Sequence, residues 1–263
     1  MRTANRILEK FDAGSPALGT ITHLKSPTAV ECIAVAGLDY VMIDMEHCPV
    51  DMSEVHACVT AADAARITPI VRLHELSRTA VLRALDLGAM GVVAPGVESA
   101  AEVQALIRYA KFPPLGERGY CMTRDGKWGY GEAYQGGLEG YFAHSNRETL
   151  LIPQCETVGC LEQIEEIAAL DGVDGILIGP YDLSIAMGLP GQFAHPQFKA
   201  AVERIHNACK TNGKIAIIFA GSEQDMQARL AEGFDNLLIG LDVLNLIGSY
   251  QRLADRFQTL TAK

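Results

Sequence analysis

The sequence predicts a closed (β/α)8 barrel, a fold of the α/β class, on three observations. Eight short apolar runs recur along the 263 residues, at 18–22, 40–43, 69–72, 91–94, 150–154, 175–178, 215–219 and 236–239. The segments between them carry the 3.6-residue apolar period of a helix. A glycine repeatedly closes a helical segment just before the next run, where it supplies a left-handed cap: Gly37, Gly88, Gly172, Gly213 and Gly233. Nearly continuous apolar, β-branched runs are what parallel strands need when both faces are covered. Eight such units in about 260 residues suit one closed barrel better than the alternative, an open doubly wound sheet.

Taken in order, the first ten residues (MRTANRILEK) read as a charged helix without the apolar centre of a leader peptide. The first run leads to His23 and Lys25. The second ends in Ile43-Asp44-Met45-Glu46-His47, and the third in Arg72, followed by His74 and Glu75. The next helical segment carries Asp86, an odd helix-interior residue unless something pairs with it. The one after the fourth run places Val103, Leu106 and Ile107 on one face. Residues 111–145 break the rhythm with Pro113-Pro114, many glycines, and Trp128, Tyr130, Tyr134, Tyr141 and Phe142. A connection this long is usually functional, so it is expected to cap the barrel mouth or to contact another subunit. The fifth run ends in Gln154-Cys155-Glu156, and a helix is expected over 160–170. The sixth ends in Gly179-Pro180-Tyr181-Asp182, and the last two lead to Ser222 and Asp242. No shift in composition divides the chain, so residues 1–263 are expected to form a single domain.

A net charge of -10 argues against a sequence-independent grip on nucleic acid or on an anionic membrane surface. A small anionic substrate remains compatible, because a metal ion and one arginine can invert the local field. No run reaches the roughly 18 apolar residues of a membrane span. The seven cysteines are scattered without a CxxC pair and read as reduced core residues, which makes the cytoplasm the expected compartment.

In a βα barrel the side chains at strand C-terminal ends converge on the active face. Glu156 and Asp182 stand out there, because two carboxylates on adjacent strands repel unless a cation or a shared proton lies between them. Hard oxygen donors suit Mg2+ or Mn2+, with Co2+ also compatible. The structural alternative is that each caps its following helix. Arg72 cannot shed its charge on entering a buried strand end, so it needs an anionic partner. That partner is either Glu75 or Asp44 in an ion pair, or a substrate carboxylate or enolate oxygen. His47 follows two acids and has the chemistry of a general base near neutral pH. Asp86 either orients His47 or lies on a solvated helix face. Gly179, Pro180 and Tyr181 open a helix after a strand, where free N–H groups suit a substrate carboxylate, although a plain turn would also explain them.

Together, Ile43-Asp44-x-Glu46-His47, Val71-Arg72, Leu85-Asp86-x-Gly88-Ala89, Pro113-Pro114-x-Gly116-x-Arg118-Gly119, Gln154-x-Glu156 and Asp174-Gly175-x-x-x-Gly179-Pro180-x-Asp182-Leu183 resemble the HpcH/HpaI family. Its members are class II, metal-dependent pyruvate aldolases acting on 4-hydroxy-2-oxoheptanedioate and 2-dehydro-3-deoxyglucarate. The resemblance implies a TIM barrel of the phosphoenolpyruvate/pyruvate type. It implies Glu156 and Asp182 as metal ligands, and Arg72 on the ketone or enolate oxygen of pyruvate. His47, steered by Asp86 and Asp44, would move protons through a metal-bound water, and Gln154 would line the pocket. The implied reaction is aldol cleavage or condensation of a 4-hydroxy-2-oxo acid, giving pyruvate and an aldehyde through a metal-stabilised enolate. The alternatives are oxaloacetate decarboxylation, or another enolate-forming lyase reaction, and a non-catalytic barrel that binds a small acid. The implied assembly is a homo-oligomer of dimers that swap a C-terminal helix and combine into a hexamer. Met45, where the family usually has glycine, the added imidazoles His23 and His74, Cys155 and Thr157 beside Glu156, and the 120–142 segment depart from the family pattern. These departures touch the aldehyde side more than the pyruvate side.

Overall fold

The computed structural model describes residues 4–262. Eight strands, β1 (Ala17–Thr22), β2 (Tyr40–Asp44), β3 (Thr68–Arg72), β4 (Gly91–Ala94), β5 (Leu150–Cys155), β6 (Gly175–Ile178), β7 (Ile215–Ala220) and β8 (Asn236–Leu241), close in chain order into one barrel. Every neighbouring pair is parallel, including β1 with β8. The (β/α)8 expectation holds, and the strands start and stop within two residues of the apolar runs. All five glycines expected to cap helices have positive φ. Helix starts are set by side chains that accept the free N–H groups of the first turn: Ser26, Ser77, Ser99 and Ser222, and Asp51 in a capping box with Glu54. Ser222 is therefore a cap. The helix expected over 160–170 is two short ones, Val158–Glu162 and Ile164–Ala169, joined at a non-helical Gln163.

Two cores follow from the two faces of each strand. Tyr40, Met42, Ile70, Ile152, Leu177, Ile217 and Leu238 fill the barrel interior, with Ile7 of the first helix, Arg6–Asp12, packed against them. Val41, Ile43, Val71, Val92, Leu151, Ile176 and Ile218 face outward to the helices. Alternation along a strand has period two, so the residues that continue the inward series at each C-terminal end are fixed by parity. They are Asp44 after Tyr40 and Met42, Arg72 after Ile70, and Gln154 then Glu156 after Ile152. Gly19 is bare because Tyr40 lies over it; a Cβ there would sit 2.4 Å from the ring.

Residues 111–149 run from the end of helix Ala100–Ala110 to the start of β5, so topology places them at the N-terminal ends of the strands. The insertion therefore does not cap the mouth of its own barrel. Most of it is ordered by helix Gly137–Glu148 and by stacked rings, Phe112 on Phe142 at 4.2 Å and Tyr134 on Tyr141 at 4.4 Å. Lys111, 1% exposed, ties it down through Thr149 O at 2.6 Å and Asp174 at 2.8 Å. Buried Arg118 bonds Asp86 and Asp125, each at 2.8 Å. The last helix, Asp242–Thr261, leaves Leu244, Ile247, Tyr250, Leu253, Phe257 and Leu260 exposed. Among the described residues no helix is long and apolar enough to cross a membrane.

Candidate active site

The C-terminal ends of the strands surround a cavity of ≈ 200 Å³ lined by His23, His47, Arg72, Gln154, Gly179, Pro180, Tyr181, Asp182 and apolar neighbours including Ile21, Phe219 and Leu241. Asp44 and Arg72 are cross-strand partners in the β2–β3 register, both on the inward series. The Arg72 Nε and Nη2 donate to the two Asp44 oxygens at 2.8 and 2.7 Å, and Nη1 lies 3.1 Å from Glu46 Oε2. Of the two ion-pair partners considered for Arg72, Asp44 is the one present. Glu75 instead accepts from Ser77. Burial alone would raise the Asp44 carboxyl, but the hydrogen bonds and charge of Arg72, with help from His23, hold it below its ordinary value. Two guanidinium N–H groups are used by Asp44, which leaves two on Nη1, on the side of Glu46, and one on Nη2.

Glu156, 6% exposed, follows β5 directly, and its Oε1 accepts from Gly96 N at 2.7 Å while Oε2 accepts from Gln154 Nε2. Cys155 pairs with Ile178 across β5 and β6, which sets Glu156 beside Gly179. A Cβ on Gly179 would lie 2.6 Å from Glu156 Oε2, so this position has no room for a side chain. Burial raises the Glu156 carboxyl above its ordinary value, and the charges of Glu46 and Asp182 push the same way against the Gly96 and Gln154 hydrogen bonds. Glu46 is raised as well, by burial first and then by Asp44 and Asp182 against Arg72 and His47. Neither Glu156 nor Asp182 caps a helix: Thr157 caps Val158–Glu162, and Pro180–Ala186 has no side-chain cap. Glu46 and Asp182 thus both act on Glu156 at the mouth, and among the described residues the Oε1 of buried Gln154 has no hydrogen-bond partner.

His47 is exposed at the rim, 3.6 Å from Glu46 Oε2. The structure does not bring Asp86 to it within this chain. Asp86 is the last residue of helix Arg78–Asp86, which runs antiparallel to the strands and carries Asp86 about 13 Å away from the mouth. There it accepts from Arg118, and burial nonetheless leaves its carboxyl above the ordinary value. His74 is exposed and does not line the cavity. Asp242 is buried and accepts from Thr22 Oγ1 at 2.6 Å and from the backbone N–H groups of His23 and Leu24. Three members of the site escaped sequence reasoning in these roles. The Gly96 N–H is a backbone donor with no side-chain signature. Glu46 stood out only as a neighbour of His47, and His23 holds Asp44 Oδ2 at 2.7 Å.

Residues 20–248 match the HpcH/HpaI aldolase/citrate lyase family. The chain belongs to this family. A hydroxypyruvate/pyruvate aldolase of Pseudomonas aeruginosa is 32% identical over 97% of the chain and 93% of its own length. A 5-keto-4-deoxy-D-glucarate aldolase of Shigella dysenteriae is 30% identical over 97% of each chain. The crystal structure of an HpcH/HpaI aldolase from Desulfitobacterium hafniense superposes with a TM-score of 0.87 at 32% identity, covering 95% of this chain and 96% of that one. Membership of the HpcH/HpaI family makes the chain a carbon–carbon lyase of the aldolase type, which removes the non-catalytic reading.

Proposed function

We propose that this HpcH/HpaI lyase cleaves and forms a 4-hydroxy-2-oxo acid, releasing or consuming pyruvate and an aldehyde, with a divalent cation (Mg2+, Mn2+ or Co2+) held by Glu156 and Asp182. The observation that carries the proposal is the set of carboxylates at the mouth: Glu156 and Asp182 cap no helix, and the charges of Glu46 and Asp182 add to burial in raising the Glu156 carboxyl. Hard oxygen donors of this kind fit such a cation. Among the described residues no three His, Cys, Asp or Glu side chains come together as a metal site, so the cation would rest on these two carboxylates together with substrate and water. When bound, the cation supplies Lewis acidity toward the 2-oxo acid, lowering the cost of removing a methyl proton.

The side chains divide the remaining work. Arg72, locked by Asp44, directs spare N–H groups at the oxygen on which enolate charge develops. Its orientation is fixed before substrate arrives, so little reorganisation is needed during the reaction. His47, at the open rim beside Glu46, moves protons between the reacting oxygen and solvent. Gln154 steadies Glu156, while Gly179, Pro180 and Tyr181 shape the wall against which the carboxylate end of the substrate lies. The exposed apolar face of helix Asp242–Thr261 supports a homo-oligomer in which another copy covers that helix, with a hexamer built as a trimer of dimers as the assembly.

Incubating pyruvate with a panel of aldehydes and each of the three cations, beside oxaloacetate alone, tests this reading. New 4-hydroxy-2-oxo acids formed only with a cation support it. Release of pyruvate from oxaloacetate with no aldehyde product would replace it by the decarboxylase reading.

A further inference from the structure

Resting on the aldolase reading above, we propose that His23 holds the aldehyde half of the substrate, its Nδ1 accepting a hydrogen bond from a hydroxyl on that half, and so selects hydroxylated over purely alkyl aldehydes. The argument begins with position. His23 lies one residue beyond β1 and continues the inward series Ala17, Gly19, Ile21. It lines the same cavity as Gln154, Gly179 and Asp182. In the closed ring β1 lies four strands away from β5. A 2-oxo acid anchored at Glu156 and Asp182 therefore meets His23 with its far end, the end that becomes the aldehyde.

His23 is held at two points, one on its backbone and one on its ring. The His23 backbone N–H donates to Asp242 Oδ1 at 2.9 Å, and its Nε2 lies 2.7 Å from Asp44 Oδ2. Asp44 is fully buried and ion-paired with Arg72, so it is a carboxylate and can only accept. The imidazole must therefore donate from Nε2, which fixes the tautomer and leaves the lone pair of the neutral ring on Nδ1. Among the described residues Nδ1 has no hydrogen-bond partner, and the side chain remains 20% exposed.

The surroundings turn this lone pair into a selective element. The cavity wall nearest in sequence and fold is apolar, with Ile21 on the same strand and Leu241 on the neighbouring β8. An alkyl group seated here strips water from Nδ1 and returns nothing, whereas a hydroxyl restores the hydrogen bond. A site built around one such group discriminates against the analogue that lacks the partner, as apolar contacts alone do not. A carbonyl oxygen cannot donate, so the hydroxyl concerned is a substituent of the aldehyde.

Glycolaldehyde and propionaldehyde differ by a hydroxyl in place of a methyl and serve as the probes. The wild-type enzyme and the variants His23→Leu and His23→Gln are assayed for condensation of each aldehyde with pyruvate, and for exchange of pyruvate methyl protons without aldehyde. Expected for wild type is a kcat/KM about tenfold higher for glycolaldehyde. In His23→Leu that ratio falls toward one, whatever loss in methyl exchange the two aldehyde reactions share. An unchanged ratio in His23→Leu overturns the proposal. So does a loss of exchange in His23→Leu, recovered in His23→Gln, whose amide can still donate to Asp44, that leaves the aldehyde ratio at its wild-type value, because His23 would then act only by holding Asp44 and Arg72. Absence of methyl exchange in the wild-type enzyme is a separate result; it defeats the aldolase reading itself, and this proposal with it.

Discussion

Asp44 grips the guanidinium of Arg72 at two points, 2.8 and 2.7 Å, from a residue that is its direct partner in the β2–β3 register. Planar, two-point contact fixes both the place and the tilt of the guanidinium, which a single point charge would not do. Substituting Arg72→Lys keeps the charge and loses the fork. The expected loss in kcat/KM for aldol turnover is about 100-fold or more, the scale of removing one oxyanion donor. Steady-state kinetics beside a circular-dichroism check of folding reads it, and near-native kinetics would assign Arg72 a structural role only.

Asp44 is the other half of the pair and is fully buried. Its carboxyl is held below the ordinary 3.8, so the folded state binds its proton less readily than the unfolded chain does. The stability this contributes is present above the ordinary value and is lost as pH falls from there through the lowered folded value. Asp44→Asn leaves Arg72 buried without its main partner, at a cost of about 3–5 kcal/mol near neutral pH. Urea unfolding at pH 7 and near pH 3 should show a large deficit at the first and a smaller one at the second.

Arg118 binds Asp86 and Asp125 below the barrel, and both Arg118 and Asp125 are nearly sealed from water. Arg118→Ala leaves two acids facing each other and should destabilise the fold by about 3–5 kcal/mol. Chemical denaturation measures this. A change under 1 kcal/mol would show that the network is dispensable.

The exposed apolar stripe of helix Asp242–Thr261 predicts self-association. Placing glutamates at Tyr250 and Leu253, which are 67% and 66% exposed, should convert the oligomer to a smaller species in light scattering while the barrel stays folded. A wild-type chain that runs as a monomer at high concentration would refute the covered-helix assembly.

Strands and mouth were legible for the same physical reason. A strand buried on both faces must be apolar throughout, so a polar side chain at the end of a run marks where the strand reaches the mouth. Asp44, Arg72, Gln154 and Glu156 all follow that rule. A motif in sequence does not say which end of a helix faces the mouth, and the antiparallel run of Arg78–Asp86 keeps Asp86 from His47 within this chain. The first of the two readings of the insertion, a cap on the mouth, fails for the same reason, since a connection from helix to strand lies at the end opposite the mouth. The His23–Asp44 contact joins residues on neighbouring strands and left no local pattern, and neither did the Gly96 donor to Glu156.

The most direct test of the carboxylate pair follows pyruvate methyl-proton exchange into D2O by NMR, for wild type, Glu156→Gln and Asp182→Asn. Each protein is measured after chelation and again after adding back Mg2+, Mn2+ or Co2+. Expected is exchange that vanishes on chelation, returns with a cation in the wild type, and stays absent in both variants. Exchange that survives chelation, or that either variant supports at the wild-type rate, would contradict the assignment of Glu156 and Asp182 as the cation's ligands.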